Sequence, residues 1–271
     1  MKLVLVFLVS LFSFNLFANV DTVEVYSNAM HKNIKCVVVT PKNHKKAKSE
    51  FPVVYLLHGY GGSYSNWIKK VPVIDSLADV YQMIIVCPDA AFSSWYFDSP
   101  VDTTFKYETF TATELPAYID ANYKTIKNRK GRAITGLSMG GHGGIFLGLR
   151  HPDTFGACGS MSGALDVSYI TNGYDVPKRL GDTITNRKYY TELSAVTQLE
   201  KYNPKDSLAI IIDCGVQDFI VMMSRNAHEK MLKLKIPHDY IERPGAHDWK
   251  YWNTAVRYQL LFFREYFNRN R

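Results

Sequence analysis

The stretch GLSMGG, residues 136–141, constrains the fold of this chain more than any other sequence feature. An apolar segment, RAIT, precedes it, and a glycine-rich segment of helical character, HGGIFLGLRHP, follows it. Gly-x-Ser-x-Gly between a buried strand and a helix is the sequence form of a nucleophile elbow, a sharp turn that exposes a serine. The alternative is a tight turn without chemistry. The strand–turn–helix setting favours the elbow, with Ser138 at the edge of a sheet where parallel strands end.

Apolar segments alternate with helical patterns along most of the chain. FPVVYLLHG, MIIVCPD and LAIIIDCG are continuously apolar, which is typical of strands buried on both faces. RAITGLS and ACGSMSG are two further predicted strands. We therefore expect an α/β fold with a mostly parallel sheet covered by helices on both faces. No linker or repeat divides the chain. We predict a single domain over residues 19–271, with an irregular, cap-like inserted segment near 164–206.

The first residues, MKLVLVFLVSLFSFNLFA, combine one lysine with an apolar run and a small residue, Ala18. This order is typical of a signal peptide. The run is too short, and too interrupted by Ser and Asn, for a stable membrane span. We predict that residues 1–18 are a signal peptide and that the protein is exported, either to the periplasm or as a secreted protein.

Charge and cysteine usage argue against several other functions. The net charge is +7, but the densest basic run, residues 44–48, lies between two strand-like segments. We interpret it as a solvated hairpin loop and expect no nucleic-acid partner. The sequence has no CxxC motif and no Cys/His spacing typical of a zinc site. We expect free, buried thiols at Cys36, Cys87, Cys158 and Cys214. We also expect no metal and no cofactor, and the sequence does not indicate an oligomeric state.

A serine nucleophile in this setting needs a base from a later loop. In this fold the chain order is Ser, then Asp or Glu, then His. His247 lies in RPGAHDW, after the last predicted strand, at the edge where a parallel sheet keeps its chemistry. We predict that His247 is the base, in preference to the other later histidines, which are His142, His151, His228 and His238.

The acid should follow the preceding strand, AIIIDCG. Asp218 lies in the loop beyond Gly215, on the same edge as the predicted base, and is the preferred acid. Asp213 is the alternative within the strand, and we expect its side chain to point into the sheet. Asp248 neighbours the histidine, and adjacent side chains diverge.

The oxyanion of an acyl-transfer intermediate needs backbone N–H donors. One is predicted at Met139, where the helix begins and unpaired donors favour an anion. The second is expected from the loop in LLHGYGG, at the N–H of Tyr60, with Gly59 as the close alternative. His58 is a candidate base, but at this position a histidine more often supports the loop by hydrogen bonding.

Two tryptophans are candidates for the substrate pocket. Trp95 lies in the loop SSWYFDSP, and Trp249 follows the predicted base. For both residues the alternative is ordinary packing. We expect Trp252 to belong to the core of the last helix.

Six segments together resemble the esterase D-like α/β-hydrolases: LLHGYGGSYSNW, SSWYFDSP, ELPAYIDANY, RAITGLSMGGHGGIFLGLRHPDTFGACGSMSG, DCGVQDF and GAHDWKYW. That group includes S-formylglutathione hydrolases, tributyrin esterases, feruloyl and acetylxylan esterases of carbohydrate esterase family 1, and antigen 85 mycolyltransferases. The resemblance covers residues 30–265. It implies an α/β-hydrolase fold and a triad of Ser138, Asp218 and His247.

The resemblance implies a secreted serine carboxylic ester hydrolase that works through an acyl-enzyme. The expected substrates are feruloyl, acetyl or other short acyl esters, as small molecules or linked to carbohydrate. An acyltransferase, or a thioesterase similar to S-formylglutathione hydrolase, is the alternative on the same scaffold. The predicted signal peptide argues against the latter, because S-formylglutathione hydrolases work in the cytosol. An inactive binding module is the alternative of another class.

Overall fold

One sheet of eight strands organises the molecule. The computed structural model describes residues 19–270, so the signal peptide predicted at 1–18 lies outside the described residues. The strands are β1 (Asn19–Ser27), β2 (Lys32–Thr40), β3 (Val53–Leu57), β4 (Ile84–Pro88), β5 (Arg132–Gly136), β6 (Ala157–Met161), β7 (Ala209–Gly215) and β8 (Asp239–Arg243). They follow the order β1-β2-β4-β3-β5-β6-β7-β8 across the sheet. β2 pairs antiparallel with β1 and β4, and the other pairs are parallel. The mostly parallel sheet predicted from the sequence is confirmed.

Helices cover both faces of this sheet. They are α1 (Asn66–Lys70), α2 (Ile74–Tyr81), α3 (Tyr107–Thr109), α4 (Leu115–Asn122), α5 (Met139–Arg150), α6 (Val176–Leu180), α7 (Arg187–Glu192), α8 (Ala195–Gln198), α9 (Val221–Leu234) and α10 (Trp249–Arg269). Within residues 19–270, none of them is long and apolar enough to cross a membrane.

The two faces of each central strand contribute to two separate apolar layers. In β3, Val53, Tyr55 and Leu57 pack into one layer. Val54 and Leu56 pack into the other, together with side chains of α2 and α10. This division follows from the strand geometry, in which successive side chains point to opposite faces. The four cysteines predicted to be buried free thiols are buried and unpaired.

The helical segment around Pro116 changes its hydrogen-bond pattern along its length. Phe110–Glu114 forms a π-helical stretch between α3 and α4, and Pro116 lies in the first turn of α4. Proline has no N–H to continue an α-helical ladder, and a wider π turn accommodates the lost bond. The helical path therefore continues past the proline.

The expectation of a hairpin at the basic run 44–48 is wrong. The run joins β2 to β3, and β4 lies between these two strands in the sheet. His44 is buried, and the Nζ of Lys124 donates to the carbonyls of Lys45 and Ala47 at 2.9 and 2.8 Å. The loop is therefore a crossover whose backbone is organised by a lysine from a distant segment.

The segment near 164–206 leaves β6 at the edge where the parallel strands end. It contains α6, α7 and α8, together with short 3-10 turns. Several long-range hydrogen bonds attach it to the body of the molecule. The Nε1 of Trp95 donates to the carbonyl of Tyr174 at 2.9 Å. Ser99 donates to the carbonyl of Arg179, and His142 Nε2 lies 2.9 Å from the carbonyl of Leu193.

Candidate active site

Ser138 occupies a strained turn between β5 and α5. Its φ is +55° and its ψ is −116°, a region that non-glycine residues rarely adopt. The flanking glycines allow the bend. A Cβ on Gly136 would lie 2.6 Å from the Cβ of Leu57, and one on Gly140 would lie 2.6 Å from the carbonyl oxygen of His58. The bend predicted from GLSMGG is therefore present, and only glycine fits at these two positions.

The predicted base and acid lie in the loops that follow β8 and β7. His247 Nε2 is 3.0 Å from Ser138 Oγ. His247 Nδ1 is 2.8 Å from Oδ2 of Asp218 and 3.0 Å from its Oδ1. A carboxylate can only accept, so the proton lies on Nδ1 and the lone pair of Nε2 faces the serine. The structure thus brings together the three side chains that the sequence selected, although they are far apart along the chain.

The carboxyl group of Asp218 is buried yet favours its charged form. Burial raises the pKa of Asp218, but hydrogen bonds from His247 and from the N–H of Ile220 outweigh it and hold the pKa below its ordinary value. Hydrogen bonds to the charged form always act in this direction. Asp218 therefore remains a carboxylate at neutral pH, able to hold the imidazole in one tautomer.

Two aromatic rings enclose the His247 imidazole. The ring of Phe219 lies 4.7 Å away, and that of Trp252 lies 5.0 Å away at 85°. Trp252 is buried, as expected of a core residue, and it also lines the cavity beside Ser138. Phe219 is 67% exposed. Phe219 was not among the predicted site residues, although its position directly after Asp218 in the sequence was a usable signal.

The N–H groups predicted to receive an oxyanion are next to the serine. Met139 is the first residue of α5, and among residues 19–270 its N–H has no acceptor. The same holds for the N–H groups of Gly59 and Tyr60. A Cβ on Gly59 would lie 3.3 Å from the Cβ of Ser138, so this loop passes beside the nucleophile.

His58 supports the loop that carries Tyr60, as expected, and does not face Ser138 as a base. Its Nδ1 is 2.8 Å from the carbonyl of Gly59, and its Nε2 accepts the N–H of Ala90 at 2.9 Å. The other histidines are also occupied elsewhere. His142 contacts Leu193, His151 pairs with Glu108, and His228 contacts His238.

The alternative acids have partners of their own. Asp213 is buried in β7, where it accepts from the hydroxyl of Tyr251 and pairs with Arg243. Asp248 accepts the N–H of Tyr251 at 2.9 Å and so caps α10. Neither carboxylate is available to the His247 imidazole, which leaves Asp218 as its partner.

A cavity of about 770 Å³ opens beside Ser138 and His247. Its volume lies in the range of small-molecule sites. Both predicted pocket residues, Trp95 and Trp249, line it. Trp249 also packs edge-on against Trp67 and Trp252, and Trp95 packs against His142. Both tryptophans therefore belong to the pocket wall, where Trp95 is buried and Trp249 is half-buried and packs against the core.

The inserted segment supplies one side of this cavity. The contiguous stretch 169–174 lines it, with Tyr169 and Tyr174 as its large side chains. Tyr174 packs edge-on against Tyr60 at 5.3 Å, which joins the segment to the loop after β3. The sequence indicated a cap-like element here but not these residues, because the segment has no periodic pattern.

In the part of the chain that the structure describes, no cluster of three or more His, Cys, Asp or Glu side chains could hold a metal ion. The side chains at the site are those of a serine, a histidine and a carboxylate. Together they can activate a hydroxyl as a nucleophile.

Comparison with known proteins gives a consistent family. The esterase family model matches residues 27–263, which is most of the chain. A solved ferulic acid esterase superposes with a TM-score of 0.79 at 30% sequence identity, covering 92% of this chain and 98% of that one. The acetyl esterase of Caldicellulosiruptor saccharolyticus is 26% identical over 257 residues, which is 86% of this chain and 94% of that protein.

A more partial similarity reaches acyltransferases. The diacylglycerol acyltransferase/mycolyltransferase Ag85A of Mycobacterium gordonae is 33% identical over 172 residues. The match covers 60% of this chain and 48% of that protein. The chain thus spans nearly all of the acetyl esterase but about half of this acyltransferase.

Proposed function

Because this chain belongs to the esterase family and is a serine carboxylic ester hydrolase of the α/β-hydrolase fold, we propose that Ser138, His247 and Asp218 are its catalytic triad. One observation carries the proposal. The three side chains form a continuous hydrogen-bonded row that ends at a cavity lined by aromatic residues. A carboxylate, an imidazole and a hydroxyl in this order are the arrangement that activates a serine.

In the first half of the reaction, Ser138 attacks the carbonyl carbon of the ester. His247 Nε2 takes the hydroxyl proton as the bond from Oγ to carbon forms. Asp218 stabilises the imidazolium through its bond to Nδ1. The N–H groups of Met139 and Tyr60 donate to the oxyanion of the tetrahedral intermediate. The intermediate collapses as His247 returns the proton to the leaving alcohol, and an acyl-enzyme remains.

In the second half, water replaces the alcohol. His247 removes a proton from the water, which attacks the acyl carbon. A second tetrahedral intermediate forms at the same N–H donors. It collapses with return of the proton to Ser138, and the carboxylic acid leaves. No step needs a group beyond the side chains and backbone donors named here.

The substrates we propose are esters of feruloyl, acetyl or other short acyl groups, as small molecules or linked to carbohydrate. The size of the cavity and the rings of Trp95, Trp249, Tyr169 and Tyr174 support an acyl group as large as an aromatic acid. The printed functions of two relatives, ferulic acid esterase and acetyl esterase, lie in the same class. Trp95 and Trp249 are the proposed substrate-contacting residues.

Replacement of Ser138 tests the function directly. We expect Ser138→Ala to lower kcat on p-nitrophenyl acetate and methyl ferulate by about a thousandfold or more, because the nucleophile is lost while binding remains. Initial rates on a panel that adds acetylated xylan, tributyrin and S-formylglutathione would identify the acyl class. Ser224→Ala, a buried serine of α9 that does not line the cavity, is the matched control. Full activity in Ser138→Ala would refute the proposal.

Two alternatives are separated by further measurements. A fluorophosphonate probe should label wild-type Ser138, whereas an inactive binding module would not react. Product partition between water and an added alcohol or sugar acceptor distinguishes a hydrolase from an acyltransferase, since both form the acyl-enzyme. The partial similarity to an acyltransferase makes this second measurement worthwhile.

We also propose that the protein is exported to the periplasm or secreted. Support comes from the apolar run after Lys2 and the small residue Ala18. N-terminal sequencing of the protein recovered from expressing cells tests this. A mature chain that starts near Asn19 is the expected result, and an intact Met1 on all molecules would contradict it.

A further inference from the structure

The direction of the proposed oxyanion donor at Tyr60 depends on one peptide group. The peptide bond between Gly59 and Tyr60 carries the carbonyl of the first residue and the N–H of the second. In a planar trans peptide these two groups point in opposite directions, and the described chain has no cis peptide. Whatever holds the Gly59 oxygen therefore sets the direction of the Tyr60 N–H.

The imidazole of His58 holds that oxygen. Its Nδ1 lies 2.8 Å from the carbonyl of Gly59. The protonation state of the ring follows from the other nitrogen. Nε2 lies 2.9 Å from the backbone nitrogen of Ala90, which can only donate, so Nε2 accepts and Nδ1 carries the proton. The Nδ1–H group therefore donates to the Gly59 carbonyl, and the N–H of Gly62 adds a second bond at 3.0 Å.

The ring is held rigidly and in its neutral form. His58 is 1% exposed and packs edge-on against Tyr96, whose hydroxyl donates to the His58 carbonyl at 3.0 Å. Burial lowers the pKa of His58, which keeps the ring neutral at neutral pH. A neutral ring is required here, because a doubly protonated one would have no acceptor for the Ala90 N–H.

We propose that His58 is a positioning residue of the esterase reaction, whose Nδ1–H holds the Gly59 carbonyl so that the Tyr60 N–H stays directed at the oxyanion. This inference rests on the proposed function and adds a residue that acts through the backbone rather than on the substrate. His58 connects the loop after β3 to Ala90 after β4, so the direction of the Tyr60 N–H depends on both strands. A preformed donor of this kind stabilises the transition state more than the bound ester.

Three substitutions separate the two hydrogen bonds of the ring. In His58→Asn the amide nitrogen replaces Nδ1 and can still donate to Gly59. In His58→Gln the longer side chain reaches the place of Nε2 and can accept from Ala90. His58→Ala removes both bonds. We expect kcat to fall about tenfold to a hundredfold in the Ala and Gln variants and less in the Asn variant, with KM within about twofold of wild type.

A boronic acid inhibitor gives a readout that a purely structural role would not move. Phenylboronic acid adds to the serine and presents an oxygen to the same donors. Its inhibition constant should rise least in His58→Asn and more in His58→Gln and His58→Ala, in parallel with the loss of kcat. His44→Ala is the matched control, since His44 is also a buried histidine that accepts a backbone N–H, at Lys124, in the loop between β2 and β3. It should lose stability and keep kcat.

The outcomes decide the inference. If Gln retains more kcat than Asn, or if all three variants lose only stability, His58 merely supports the Ala90 loop and the positioning role is refuted. If the Ala variant does not fold, the comparison of Asn with Gln still decides, because each keeps one of the two bonds. Full activity in Ser138→Ala would instead refute the proposed function, whatever the His58 variants do.

Discussion

At the scale of single residues, the strained backbone of Ser138 is held by its neighbours. Its N–H donates to the carbonyl of Met161 at 3.0 Å, and its own carbonyl accepts from His142 at 3.0 Å and from Ala164 at 3.3 Å. A positive φ at a non-glycine residue costs free energy and persists only where surrounding bonds determine it. These bonds keep the serine hydroxyl in reach of the imidazole before any substrate arrives.

Asparagine substitutions should distinguish the role of Asp218, the proposed acid, from that of Asp248, which follows His247. In Asp218→Asn the amide can donate to His247 Nδ1, which stabilises the wrong tautomer. We expect kcat on p-nitrophenyl acetate to fall about a thousandfold or more with little change in KM. Asp248→Asn is the control, because asparagine also caps a helix. Steady-state kinetics of both variants test this, and a comparable loss in Asp248→Asn would contradict the assignment.

The proposed triad residues were accessible to sequence reasoning, whereas the hydrogen bonds of His58 were not. Ser138, Asp218 and His247 each follow a recognisable strand, and parallel strands end at one edge, so chain order alone brought them together. The partner of His58 is the backbone of Ala90, which leaves no mark in the side-chain sequence. The placement of Phe219 over the imidazole likewise depends on how the loop after β7 turns.

At the scale of elements, the elbow depends on how closely α5 approaches β3. A Cβ on Gly140 would meet backbone atoms of His58 and Leu57 at 2.6 to 2.8 Å, and backbone atoms cannot move aside as a flexible side chain can. The close approach brings the start of α5, with the Met139 N–H, next to the loop that carries Tyr60. The same glycine therefore serves packing and the geometry of the site.

Gly140→Ala should accordingly destabilise the protein by about 2 kcal/mol or more, as overpacking against fixed atoms does. Gly173→Ala is the control, since the nearest atom to its added Cβ is 4.0 Å away. We expect the control to change the free energy of unfolding by less than about 0.5 kcal/mol. Urea denaturation followed by tryptophan fluorescence measures both. Equal stability of the two variants would show that α5 can shift away from β3.

The inserted segment near 164–206 shows where sequence patterns fail. Its helices are too short for a periodic apolar face, and the longest, α7, has six residues. Its path is set instead by side chains of other segments, such as Trp95 and Ser99, that donate to its carbonyls. Contacts of this kind join residues some eighty positions apart, and composition or local periodicity does not encode them.

At the scale of the whole molecule, burial of a histidine couples stability to pH. Burial lowers the pKa of His142 to about 4, against an ordinary value of 6.5. Between these values the unfolded chain binds the proton and the folded chain does not. Stability is therefore greatest above pH 6.5 and is lost as the pH falls towards 4, by about 1.4 kcal/mol for each pH unit. Burial also lowers the pKa of His58, which acts in the same direction.

His142→Gln should make the free energy of unfolding less dependent on pH, because unfolding of the variant takes up about one proton fewer in this range. Glutamine does not titrate here but can still donate to the Leu193 carbonyl. Urea unfolding at pH 7.5, 6.0 and 5.0 would give the free energy for wild type and variant. We expect the difference between the two to change with pH over this window. A constant difference would mean that His142 titrates alike in both states.

Because its four cysteines are buried free thiols, this fold does not depend on disulfide formation. Cys36, Cys87, Cys158 and Cys214 are all thiols in the interior, and burial raises the pKa of each, so none forms the reactive thiolate readily. The chain has no need of an oxidant or a disulfide isomerase to mature, and glutathione should not affect it. A maleimide dye should react with these thiols only after unfolding exposes them. The rate of labelling therefore reports the rate of global unfolding.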